Sequence, residues 1–266
     1  MIKFFRKIRQ KMLAENKFGK YLTYAIGEIV LVVIGILIAL QINNWNQERL
    51  NKKQEHQILS QLLKEYTSNL KQINQKIEIR KEMLNSCFRL LQYQNEKPES
   101  IDQDSLDAFL FRITIRPTFD PELSVSNELI NSGKLYLIEN TDLRNNVSSY
   151  SSFLSELNEE ELAIFDLTEK QLIPFLRENY QIGRMMMVLL DDKELRAKIT
   201  MGEVNNYDTM KNLVQKSDYK NLLSHPDFED YLLQLISYTA YTNDQSTGVK
   251  EKTTTIIDLI RTELKK

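Results

Sequence analysis

The sequence predicts an all-α protein: an N-terminal transmembrane helix continuing toward an extracytoplasmic bundle of about five to seven helices. Three observations lead there. Residues 22–42 form one apolar run, LTYAIGEIVLVVIGILIALQI. Beyond position 58, apolar residues recur at spacings of three and four rather than two. Residues 43–266 hold only four Gly and five Pro and no hairpin signal.

The apolar run has 21 residues, 13 of them Leu, Ile or Val, and a single ionisable group, Glu28. At 1.5 Å per residue it reaches about 31 Å, close to the hydrocarbon thickness of a bilayer. The apolar side chains supply about −5 kcal/mol of insertion free energy, against about 3 kcal/mol for a mid-membrane carboxylate. The run is too long for the apolar part of a cleaved signal peptide, and no A-x-A site follows it. It therefore reads as a signal anchor. Trp45, just beyond it, suits the membrane–water interface.

Charge sets the orientation. Lys3, Arg6, Lys7, Arg9, Lys11, Lys17 and Lys20 precede the run, whereas only Arg49, Lys52 and Lys53 lie in the 20 residues after it. The positive-inside rule puts the N-terminus in the cytoplasm. Residues 1–20 are then a basic cytoplasmic tail, 21–42 the transmembrane anchor and 43–266 a periplasmic domain of a bacterial inner-membrane protein. Within the tail, Ile2, Phe4, Phe5, Ile8, Met12 and Leu13 alternate with bases, as a charged flank or a leaflet-lying segment does. The domain carries seven more acids than bases, which argues against nucleic acid as a partner.

Glu28, Gly35 and Ala39 fall near one face of the anchor helix. A carboxyl beside small residues fits self-association or pairing with another membrane protein. A protonated or snorkelling Glu28 with no partner fits the same pattern.

From Leu59 a heptad register runs without a slip. Leu59, Tyr66, Ile73, Arg80 and Cys87 hold one position; Leu63, Leu70, Ile77, Leu84 and Leu91 hold the other. Arg80 alone breaks the apolar pattern of a coiled-coil-like helix ending near Tyr93. The seam either packs on the domain's own helices or continues the anchor as one rod, since Glu28, Gly35 and Ile42 share its register.

Later elements follow from punctuation. Asp104–Ile115 reads as a helix whose end alternates like a strand, and Pro117 and Pro121 then break the chain. Ser124 or Ser126 is the expected cap of a short helix stopped at Gly133, after which Lys134–Ile138 is an apolar connector. Thr141 is a candidate cap for the helix carrying Leu143, Val147, Tyr150, Leu154 and Leu157. Pro174 should kink or start the next run, and Met185–Leu190 reads as core. Ser224-His225-Pro226 opens the last element. Its faces are Phe228, Leu232, Leu235, Ile236 and Thr239, then Val249, Thr253, Ile256, Ile260 and Leu264, with a bend expected around Ser246–Gly248.

Chemistry is sparse. Two histidines, His56 and His225, and one cysteine, Cys87, lack metal-ligand spacing. The seven glycines are isolated, so no phosphate-cradling loop forms, and no G-x-S-x-G elbow occurs. Ser148, Ser149, Ser151, Ser152 and Ser155 read as a wet helix face, Cys87 as packing, and Glu159–Glu161 as solvated acids. No catalytic, cofactor or metal site is expected, and no cofactor.

Two stretches carry a resemblance. MIKFFRKIRQKMLAENKFGKYLTYAIGEIVLVVIGILIALQINNWNQER resembles the start of a family of Bacteroidota single-pass membrane proteins known only as a domain of unknown function. ELINSGKLYLIENTDLRNNVSSY resembles that family's central motif. The resemblance implies an inner-membrane protein with a periplasmic domain, makes Glu28 part of the family's pattern, and brings no activity. The expectation is a non-enzymatic helical interaction or scaffold module of the cell envelope. Its partners would be the lipid bilayer and either itself or another membrane or periplasmic protein. The alternatives are a sensor acting through a membrane partner and an envelope hydrolase.

Overall fold

The computed structural model describes residues 18–97, 100–199 and 218–266. Most of the basic tail therefore lies outside the described residues. All regular structure among those residues is helical, with no strand. The elements are α1 (Phe18–Tyr93), α2 (Gln103–Arg112), α3 (Ser124–Asn131), α4 (Thr141–Leu167), α5 (Ile173–Asn179), α6 (Ile182–Asp191), α7 (Lys193–Ile199), α8 (Lys220–Leu223) and α9 (Pro226–Glu263). A 3₁₀ turn spans Lys134–Leu137, and a π turn at Thr168–Leu172 joins α4 to α5. The chain divides into two compact units, 1–57 and 58–266, and α1 contributes to both.

In the first unit α1 is long and apolar enough to cross a membrane, and none of its most apolar stretch is buried. Every residue from Ile29 to Leu50 is exposed.

The second unit is a helix bundle. Helices α4 and α9 run antiparallel, fixed by the pairs Asn140–Glu263 and Tyr150–Thr253. Helix α1 runs parallel to α4, since Tyr66 meets Tyr150 and Arg80 meets Glu161. The buried positions of α9 are Phe228, Leu232, Leu235, Thr239, Thr242, Ser246, Val249, Thr253, Ile256, Ile257 and Ile260. Apart from Ile257, which widens the stripe beside Ile256, they alternate by four and three. The two faces expected from the sequence are therefore one unbroken seam, carried through Thr242 and Ser246 in a single helix.

On α1 the expected seam is only half right in detail. Leu59, Tyr66, Ile73, Arg80 and Cys87 are buried, as is Ile77. Leu63, Leu70, Leu84 and Leu91 are only half-buried, while Leu62, Met83 and Leu90 are fully covered. A helix flanked by neighbours on more than one side buries a stripe wider than two heptad positions.

Caps also differ from expectation. Asn140, not Thr141, caps α4 by accepting from the Leu143 N–H at 2.9 Å. Asp102 caps α2 through the Ser105 N–H. Helix α3 starts after Leu123, which has no side-chain oxygen to offer, so neither Ser124 nor Ser126 is its cap. Gly133 takes φ of +68°, the left-handed stop expected there. Pro174 sits in the first turn of α5, marking its start as expected. The π turn before it widens the coil where its ring would otherwise meet the carbonyl of Lys170.

Candidate functional site

Buried apolar side chains form two separate clusters. One holds Leu59, Leu62, Tyr66, Ile73, Ile77, Phe119, Leu129, Tyr150, Leu157, Val249 and Ile256 with their neighbours. The other holds Met83, Cys87, Leu90, Leu106, Ile113, Ile164, Leu176, Phe228, Leu232 and Leu235 with theirs. We call these the Tyr66 cluster and the Phe228 cluster. Polar groups occupy the level between them. Arg80 lies there on α1, Glu161 on α4, and Thr239, Thr242 and Ser246 on α9, all buried.

Arg80 is the hub of that level. Its guanidinium pairs with the Glu161 carboxylate and donates from Nη1 to Ser246 Oγ at 2.7 Å and from Nη2 to the Pro117 carbonyl at 3.1 Å. Glu161 also accepts the Phe119 N–H on both oxygens, at 3.1 and 2.9 Å. Burial pushes the Glu161 carboxyl above its ordinary range and the Arg80 guanidinium below its own; each charge pulls the other back. The sequence reading of Glu159–Glu161 as solvated acids therefore fails at its last residue. Glu161 is on the inner face of α4 and Glu159 on the outer.

Pro117 and Phe119 belong to the irregular segment 115–123, which straps across α1. The amide of Asn69 donates to the Glu122 carbonyl and accepts the Glu122 N–H, both at 2.8 Å. Gln72 does the same to Asp120, at 3.0 and 2.8 Å. Two amides one helical turn apart thus read alternate residues of one chain edge. The N–H groups of the opposite edge are accounted for as well, because Phe119 donates to Glu161 and Pro121 has none to give.

Glu65 completes the strap. Its carboxylate accepts from the Val125 N–H at 2.6 Å, the Ser126 N–H at 3.2 Å and Ser126 Oγ at 2.5 Å. It is the N-cap that Leu123 cannot provide, delivered from α1 and favourable to the helix dipole of α3. Tyr66 Oη lies 3.1 Å from the same Ser126 hydroxyl.

A second polar lock ties α2 to α6. Arg184 donates to Asp107 and Asp104, each at 2.5 Å, and Tyr180 donates to the other Asp107 oxygen at 2.5 Å. Burial raises the Asp107 pKa, opposed by the Tyr180 bond and the Arg184 charge. Nearby, a surface depression of about 250 Å³ is lined by Glu82, Asn85, Ser86, Phe109, Arg112, Asp192 and Glu194.

Other residues singled out in the sequence are placed as follows. Gly35 and Ala39 are exposed, and a Cβ at Gly35 would meet nothing within 4 Å; Glu28 is half-buried. Trp45 is exposed. Cys87 is buried, its thiol pushed up to about 12 by desolvation, which leaves it a poor nucleophile at neutral pH. His225 caps α9 through Nδ1, accepting the Asp227 N–H at 3.2 Å, and its ring stands edge-on to Phe175. Among the described residues no three His, Cys, Asp or Glu side chains converge on a point that would hold a metal ion. The groups missed in the sequence, Glu65, Asn69, Gln72 and Glu161, act on main chain or on Arg80, and no motif announces such roles. Arg80 was signalled only as the break in its seam.

The part of the chain that carries the strap is also the part with known relatives. A protein-family model described as a family of unknown function (DUF6090) matches residues 28–157. The chain is similar to that family over just under half its length. The matched stretch includes Glu65, Asn69, Gln72, Arg80 and the whole strap, and stops short of Glu161 and α9. No curated protein and no solved structure matches the chain.

Proposed function

We propose that this protein is a membrane-anchored helical interaction module of the bacterial cell envelope, held in the inner membrane by residues 21–42 with its bundle in the periplasm. The observation that carries the reading is the uninterrupted exposure of α1 from Ile29 to Leu50, with its apolar side chains unsupported by protein. About 25 cal/mol per Å² of exposed apolar surface drives such a segment into lipid. The basic residues before the span favour a cytoplasmic N-terminus.

The reading is non-enzymatic. Three buried carboxylates of the bundle are engaged in holding main chain and neighbouring elements: Glu161 on Phe119, Glu65 on α3, Asp107 on Arg184. Groups committed to such bonds are positioned for architecture rather than for proton transfer to a substrate.

A pair of reporters fused after Lys266 tests the topology. Alkaline phosphatase, active only outside the cytoplasm, should be active, and a fluorescent protein that matures only inside should be dark. The reverse pattern removes the periplasmic assignment. Crosslinking in native membranes followed by mass spectrometry tests the interaction role; no reproducible neighbour, including a second copy, would remove it.

A further inference from the structure

We infer that the polar level through Arg80, Glu161 and α9 is a built-in boundary at which the bundle opens in two parts. The chain crosses between the apolar clusters four times, and each crossing carries a buried polar side chain. On α1 the buried positions pass from Ile77 to Met83 across Arg80 and Ile79, the latter an apolar side chain that belongs to neither cluster. On α4 they pass from Leu157 to Ile164 across Glu161, and on α9 from Leu235 to Val249 across Thr239, Thr242 and Ser246. Between α2 and the strap they pass from Ile113 to Phe119 across Thr114 and Pro117, both buried.

The level is also incompletely satisfied. Arg80 Nε, Thr239 Oγ1 and Asn243 Oδ1 are buried atoms with no hydrogen-bond partner in the protein. Thr242 bonds only back to the Tyr238 carbonyl of its own helix, at 2.8 Å. Buried polar atoms left without partners weaken local cohesion, whereas each apolar cluster is contiguous within itself. A plane of poor cohesion between two cohesive cores is where sub-global opening divides a domain.

The consequence is that α1, α4 and α9 each belong to two cooperative units. Residues 59–77, 143–157 and 249–260 open with the Tyr66 cluster, and residues 83–93, 106–113, 164–176 and 228–235 with the Phe228 cluster. The depression lined by Glu82, Phe109, Arg112 and Asp192 lies on the Phe228 side, so an occupant there would tighten that part alone.

Native-state hydrogen exchange on the full chain in detergent micelles, in graded denaturant, is the test. Amides of the two sets should differ at least tenfold in exchange rate, with the change inside α1, α4 and α9 rather than at their ends. A single rate profile along each of those helices overturns the boundary. Thr239→Val with Thr242→Val, isosteric changes at two buried positions, leaves Arg80 and Glu161 in place while making the level more apolar. The ratio between the sets should then shrink at least threefold; an unchanged ratio counts equally against the inference.

Discussion

Arg80 and Glu161 are 81 residues apart in sequence, yet their side chains form an ion pair closed off from solvent inside the bundle. Such a pair gives little net stability over an apolar replacement, because both charges lose their hydration, but it is costly to break by halves. Arg80→Ala and Glu161→Ala should each lower unfolding free energy by about 3–5 kcal/mol. Arg80→Ala with Glu161→Ala should cost well below the sum of the two. Urea denaturation of the four proteins supplies the cycle, and additive losses would show that the pair is not coupled.

The strap gives a graded expectation. Asn69 is buried and Gln72 is only half-buried, though each makes the same two bonds to main chain. Asn69→Ala leaves the Glu122 N–H and carbonyl unsatisfied in a partly buried place, at a cost of about 1–3 kcal/mol. Gln72→Ala hands the exposed Asp120 backbone to water and should cost less than about 1 kcal/mol. Equal losses in denaturant midpoints would show that burial does not set the value of these clamps.

Glu65 acts as a cap from a distant helix. Glu65→Ala should destabilise by about 1–2 kcal/mol, in the range of a lost N-cap, and should raise amide exchange first at Val125 and Ser126. Exchange unchanged at those two amides would show that α3 keeps its first turn without the carboxylate.

Acidification separates Asp107 from an ordinary surface carboxylate. Burial raises its folded-state pKa, so the folded protein takes up this proton more readily than the unfolded chain. That contribution to stability is complete below the unfolded value and is lost as pH rises through the folded one. The stability of wild type minus that of Asp107→Asn should therefore fall as pH rises from about 4 toward neutrality, with a slope no steeper than about 1.4 kcal/mol per pH unit. Denaturation series at several pH values measure it; a difference that rises with pH would mean that the Arg184 pairing outweighs burial.

The association face expected on the proposed anchor is tested at Glu28. Glu28→Leu should reduce the crosslinked dimer, or the crosslink to a membrane partner, in native membranes. Gly35→Leu should do the same by holding the backbones apart. Crosslinking unaffected by either change removes this face from the proposal.

Local chemistry made much of the fold legible. Helical spacing, scarce Gly and Pro, the Gly133 stop and the His225-Pro226 start are properties of a few neighbouring residues. They appear in the structure as read. The apolar stretch of α1 was equally plain, since length and composition alone decide it. Where the reading slipped, at Thr141 against Asn140 or Ser124 against Leu123, it slipped by a residue or more at an end, where several oxygens compete to accept the same amides.

By itself, then, the sequence determined that the chain is helical, where its helices lie, and that one of them is oily enough for lipid. Only the tertiary structure decided what its polar residues are for. Arg80 looks like a flaw in an apolar seam, and Glu161 like one of three solvated acids, until each is seen opposite the other. Periodicity is set by residues three and four apart, whereas the fate of a buried charge depends on partners 37, 81 and 166 positions away: Pro117, Glu161 and Ser246. Desolvation is unfavourable until those partners arrive, and no local pattern records that they will.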